Sequence, residues 1–161
     1  MTFTLSMTVN GGAVELGVHP EELLLDVLRE RLGLTGTKRS CDTQVCGACT
    51  VLLDGRPVSS CSLLAWEARG RTILTIEGVA EGEQLHPLQE AFVTESAFQC
   101  GFCTPGMILA AKALLDERPA ATEAEIADYL KGNICRCTGY TNILRAVAFA
   151  RDAMRAAAGA R

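Results

Sequence analysis

Polar and apolar residues alternate strictly at the start of the chain, where Phe3, Leu5, Met7 and Val9 take every second position, and again at Val14, Leu16 and Val18. A period of two turns one strand face to a core and the other to solvent. Asn10-Gly11-Gly12 lies between the runs, and Asn and Gly tolerate positive φ, so the pattern predicts a β-hairpin. From Glu21 to Leu32 the period changes: Leu24, Val27, Leu28 and Leu32 fall on one helical face able to cover that hairpin. Further on, "TVLL", the Asp54-Gly55 turn and "TILTI" at 72–76 predict more short strands.

Beyond Gly78 to Gly82 helix formers take over, and four helices are predicted near 87–97, 105–116, 123–131 and 142–157. Pro87 and Pro105 suit first helical positions, Thr104 is placed to cap the second helix, and Thr122 with Glu125 makes a capping box before Ile126. Met107, Ile108, Ala111, Leu114 and Leu115 form an apolar stripe, as do Ile143, Leu144, Val147 and Met154 more loosely; core packing accounts for both. There is no internal repeat and no low-complexity linker. The expected fold class is therefore α+β, with the sheet first and the helices after it.

Composition narrows the function. With 161 residues, 48% of them hydrophobic and 21% charged, the chain is that of a globular protein of one or two small domains. A net charge of −4 and few aromatics, none interleaved with arginines, argue against nucleic acid as a partner. The N-terminus has neither a basic flank nor a continuous apolar stretch, and no run approaches the roughly 20 apolar residues of a membrane span. A cytoplasmic location is expected, where thiols stay reduced and eight cysteines point to metal or redox chemistry, not disulfides.

Each half holds four cysteines. In the first, Cys41-x4-Cys46-x2-Cys49 with Cys61 further on reproduces the spacing of plant-type [2Fe–2S] sites. Gly47 allows the unusual backbone angles of such a loop, and Lys38 and Arg39 are either counter-charges to thiolate or solvated side chains. In the second half Cys100 and Cys103 immediately precede a helix N-terminus, where free amides favour an anionic ligand, and Cys135 and Cys137 lie in a second interhelical connection. Two such connections at one end of a bundle would complete a four-thiolate site. The spacing of this second set is less diagnostic, and structural zinc is its rival. A [4Fe–4S] cluster of the bacterial type would need a C-x2-C-x2-C run, and a Rieske centre two histidines near the cysteines; the two present, His19 and His86, read as surface or packing residues.

Groups for independent catalysis are missing from the pattern. No G-x-G-x-x-G follows a strand, "GLTGTKRS" is not a P-loop, and no nucleophile–base pairing has support once the cysteines are assigned to metal. A free ferredoxin-type carrier and a zinc-stabilised interaction module are the alternatives to an electron-relay subunit.

The segments "LTGTKRSCDTQVCGACTVLLDG", "IEGVA", "LQEAF", "QCGFCTPGMI" and "GNICRCTGYTNI", in that order, resemble the small iron–sulfur subunit of the molybdenum hydroxylases, the family of xanthine dehydrogenase, aldehyde oxidoreductase and carbon monoxide dehydrogenase. The resemblance runs over nearly the whole chain. It implies a β-grasp ferredoxin-like domain over 1–79 followed by a four-helix domain over 80–161. It further implies two [2Fe–2S] clusters, one on Cys41, Cys46, Cys49 and Cys61 nearer a flavin, the other on Cys100, Cys103, Cys135 and Cys137 nearer a molybdopterin. Gln99 and Cys137 would approach that pterin. The implied partners are a large molybdopterin-binding subunit and a medium FAD-binding subunit, in a dimer of heterotrimers. Many relatives have glycine where this chain has Ser40 and again at Gln44.

Overall fold

The computed structural model describes residues 1–159. Strands β1 (Phe3–Val9) and β2 (Gly12–Val18) form the expected hairpin, with Val9 opposite Gly12 and a two-residue turn at Asn10 and Gly11, both at positive φ. That turn type matches the right-handed twist of the strands it joins. Strands β3 (Thr50–Leu53) and β4 (Arg56–Ser59) repeat the device at Asp54-Gly55, and β5 (Thr72–Leu74) completes a mixed sheet in the order β2-β1-β5-β3-β4. Only the β1–β5 pair is parallel.

The helix expected over 21–32 is shorter and less regular. Helix α1 (Leu24–Asp26) runs on as a π-helical turn, Val27–Arg31. Its anticipated first turn is used otherwise: Leu24 N–H donates to Leu63 O and Ala65 N–H to Glu22 O, so 22–24 pairs with 63–65 instead of coiling. Leu24, Val27 and Leu28 do cover the hairpin, buried with Leu5, Met7, Val9 and Ile73 in one core. The "TILTI" strand also stops early. The Asn10 side chain accepts from Thr75 N–H and donates to Thr75 Oγ1, and Ile76–Gly78 becomes a 3-10 turn.

Four helical segments follow: α2 (Pro87–Thr94), α3 (Thr104–Glu117), α4 (Glu123–Tyr129), and α5 (Thr141–Gly159). The Thr122–Glu125 capping box is present. His86 caps α2, its Nδ1 accepting from Leu88 N–H at 3.2 Å. Thr104 does not cap α3. Cys103 occupies the cap position, Thr104 is the first helical residue, and its hydroxyl is buried without a partner. Helix α3 is buried nearly all round, not along one stripe, because it lies between the other helices and the sheet.

Strand β3 joins the two halves. All four of its residues are buried; Val51 and Leu53 face the hairpin core, while Leu52 belongs to the core of the helical half. A short unbroken apolar run is what burial on both faces requires.

Candidate metal centres

The first loop is folded by its own backbone. Asp42, Gln44 and Gly47 all have positive φ, at 54°, 61° and 68°, so the chain curls around a small volume. Gln44 therefore adopts the left-handed conformation that glycine takes at little cost, and its side-chain amide donates to Ser62 Oγ, beside Cys61. Thr43 N–H and Cys46 N–H both donate to Cys41 Sγ at 3.4 Å. Those amides hold the Cys41 thiol down to about 6, from an ordinary value near 9. Cys49 and Cys61 are buried in contact with each other and Leu25, and burial pushes Cys49 up to about 11.

Neither Lys38 nor Arg39 serves as a counter-charge to sulfur. Lys38 Nζ donates to Thr35 O, and Arg39 bridges Asp26 and Asp42, tying the loop to α1. Arg29, unremarked in the sequence, does similar work by donating to the carbonyls of Thr35 and Thr37.

The second set closes from two connections. Cys100 and Cys103 precede α3; Cys135 and Cys137 lie between the turn after α4 and the start of α5. All four line one cavity of 290 Å³, together with Cys46 of the first set. Cys137 Sγ donates to Cys100 Sγ at 3.6 Å, and the Cys103 and Cys135 thiols touch. Burial first, then that neighbour, pushes Cys103 up to about 12. Burial is the largest influence at Cys135 and opposes ionisation, but the hydrogen bonds to its sulfur from Thr138, Cys137 and Cys103 together outweigh it: the Thr138 hydroxyl and amide donate at 3.1 and 3.4 Å, and the thiol falls below its ordinary range.

The spacing of "CRCTGY" now has a local reason. Gly139 and Tyr140 both take positive φ and reverse the chain, so that Tyr140 Oη accepts from Cys135 N–H at 3.0 Å. Thr138 and Tyr140 thus fix the Cys135 orientation; the motif contained both, but nothing in a sequence period marks a side chain that folds back.

Six of the eight thiols approach in pairs. Cys49 meets Cys61, Cys100 meets Cys137, Cys103 meets Cys135, and Cys46 offers its amide to Cys41. Facing pairs suit a centre of two irons, each taking two thiolates, whereas one tetrahedral zinc draws four sulfurs to a single point. Among the described residues no three Cys, His, Asp or Glu side chains converge on one ion. The donor set fits a [2Fe–2S] group in each half.

Gln99 is exposed, as are Cys100 and Cys137, with Phe98 and Phe102 beside them. It lies in the loop between α2 and α3, clear of either helix end. His19 is exposed and His86 caps a helix, so neither approaches a thiol set. Among the described residues no helix is long and apolar enough to cross a membrane.

Comparison with known proteins agrees with this arrangement. Residues 7–75 match the family described as a 2Fe-2S iron-sulfur cluster binding domain, and residues 75–148 match that described as a [2Fe-2S] binding domain. The nicotinate dehydrogenase small FeS subunit of Eubacterium barkeri is 50% identical over 147 residues, which is 91% of this chain and 94% of the relative. Among solved structures, quinoline 2-oxidoreductase from Pseudomonas putida 86 superposes with a TM-score of 0.92 at 44% identity, covering 96% of this chain and 97% of that one. The aldehyde oxidoreductase of Desulfovibrio desulfuricans also gives 0.92, at 46% identity; the match spans 95% of this chain but 17% of that much longer one.

Proposed function

The chain belongs to the small iron–sulfur subunits of the molybdenum hydroxylases, oxidoreductase components that do not catalyse alone, and from that membership we propose that it relays electrons between two partner subunits. Electrons enter from a large molybdopterin-bearing subunit at the centre held by Cys100, Cys103, Cys135 and Cys137. They leave from the centre held by Cys41, Cys46, Cys49 and Cys61 to a medium subunit carrying FAD. On this reading residues 1–79 are the β-grasp ferredoxin-like domain and 80–161 the four-helix domain, 160 and 161 lying outside the described residues. The observation that carries this reading is the closing of eight unpaired cysteines into two separate sets, whose loops touch at one backbone hydrogen bond, Ile134 N–H to Cys46 O at 2.8 Å.

Each cluster, when bound, takes up and gives back one electron. The protein's own groups prepare for this. Amides of Thr43 and Cys46 and the hydroxyl of Thr138 already point at sulfur and favour thiolate ligands; the same donors would stabilise added negative charge and raise the potentials. Gln99 and Cys137, both exposed, are the contacts to the pterin-bearing partner. Substrate recognition belongs to that partner, which is why relatives named for nicotinate, quinoline and aldehyde oxidation share this chain's pattern.

Anaerobic purification tests the proposal. The chain should bring down larger subunits, carry two iron dimers with matching sulfide, and show two distinguishable reduced-state EPR signals. Cys137→Ser should abolish one signal and spare the other. A colourless zinc protein, or substrate oxidation by the isolated chain, would sink it.

A further inference from the structure

The two cysteine loops meet along a seam where consecutive carbonyls of the first loop face the helical half. Cys46 O accepts from Ile134 N–H at 2.8 Å, and Gly47 O accepts from Asn133 Nδ2 at 3.0 Å. Asn133 Nδ2 also lies 3.3 Å from Thr50 Oγ1, whose hydroxyl donates to Gly47 O at 2.7 Å. Asn133 is only 6% exposed. The approach is as close as backbone allows: a Cβ on Gly47 would overlap Gly132 O and the Asn133 amide, and one on Gly106 would overlap Gly47 O.

A bonded path runs from Cys46 Sγ through the Cys46 carbonyl, across that hydrogen bond, and along the backbone of Ile134 to Cys135 Sγ. The Ile134 side chain is 44% exposed, so its own packing does not hold its amide in place. The neighbouring Asn133 does. We infer that Asn133 is a positioning residue for electron passage between the two centres: by clamping Gly47 O and Thr50 Oγ1 it keeps the Cys46–Ile134 hydrogen bond closed and so maintains the coupling between the two cysteine sets. The inference rests on the relay reading above. The step moves one electron from the reduced centre to the oxidised one; no bond breaks and no proton travels.

The test uses the full chain, purified anaerobically with its native partners. Losing a buried amide bond of ordinary strength shifts a local opening equilibrium about tenfold. Asn133→Leu should therefore raise the hydrogen-exchange rate of the Ile134 amide about tenfold and reduce the magnetic splitting between the two reduced centres. Iron content and both midpoint potentials should stay native, which a merely structural lesion would not leave intact. Asn133→Asp keeps the side-chain outline but turns a carboxylate toward Gly47 O, and should act in the same direction. Native exchange at Ile134 in both variants would overturn the clamp. Faster exchange with native splitting would overturn its role in coupling. Iron-free native protein would defeat the relay reading alone, and the Ile134 exchange measurement would still decide the clamp.

Discussion

The sheet half and the helical half reach the same donor set by opposite routes. In the first, one loop supplies three thiols, and its curvature comes from successive left-handed residues, Asp42, Gln44 and Gly47. Such a loop tolerates few spacings, so Cys41-x4-Cys46-x2-Cys49 is diagnostic on inspection. In the second, each interhelical connection supplies two thiols, and the packing of α4 against both α3 and α5 brings the connections together. Spacing there is set by where helices end, and many helical arrangements would allow it. Local backbone geometry makes a motif legible; assembly by tertiary packing hides it.

That contrast can be broken most severely at the buried cysteines. Cys49→Ser and Cys103→Ser should each remove one iron dimer and one EPR signal while the other persists, checked by iron analysis and low-temperature EPR. Loss of both from either substitution would mean that the halves do not assemble their sites independently.

A smaller effect should separate shared core from private core. Leu5 is packed only among sheet-half residues, whereas Leu52 crosses to the helical half. Truncating either to Ala should cost about 2–5 kcal/mol. Leu52→Ala alone should also split a single calorimetric transition into two, because it removes packing between the halves.

Smaller again is the cap of α4. Thr122 Oγ1 accepts from Glu125 N–H and Glu125 returns a carboxylate to Thr122 N–H, so Thr122→Ala should cost about 1 kcal/mol in denaturant melts. Neither EPR signal should change, since α4 carries no thiol.

The least effect is expected from acid at His86. Partial burial, with Lys112 nearby, lowers its pKa, and its Nδ1 must be unprotonated to accept from Leu88 N–H. A His with a depressed folded pKa contributes stability above its unfolded value of about 6.5, and loses it as pH falls toward the folded value. The helical half should therefore weaken slightly below about pH 6.5, and His86→Asn should cap α2 without that dependence.

Several features were legible before any coordinates. Strict alternation at Leu5, Met7 and Val9, the Asn10-Gly11 and Asp54-Gly55 turns, and the Thr122–Glu125 box are decided within a few residues, where sterics and short-range hydrogen bonds dominate. Other expectations failed for tertiary reasons. The predicted first turn of α1 pairs with Leu63 and Ala65, the strand at 72–76 is cut short by the Asn10 side chain, and Thr104 lies inside α3, with Cys103 at the cap. In the first two a long-range partner overrides a local preference; the Thr104 hydroxyl has no partner to account for the third.

The chain's own order of residues established eight thiols in two groups, the periods of its strands and helices, and the turns that join them, because those are matters of near neighbours along the backbone. The folded molecule alone decided that Gly47 would meet Asn133, 86 positions away, that β3 would face two cores, and that Cys41 would be half-buried while Cys49 was sealed. Contacts between distant segments depend on how whole surfaces fit, and no short stretch of sequence contains that information.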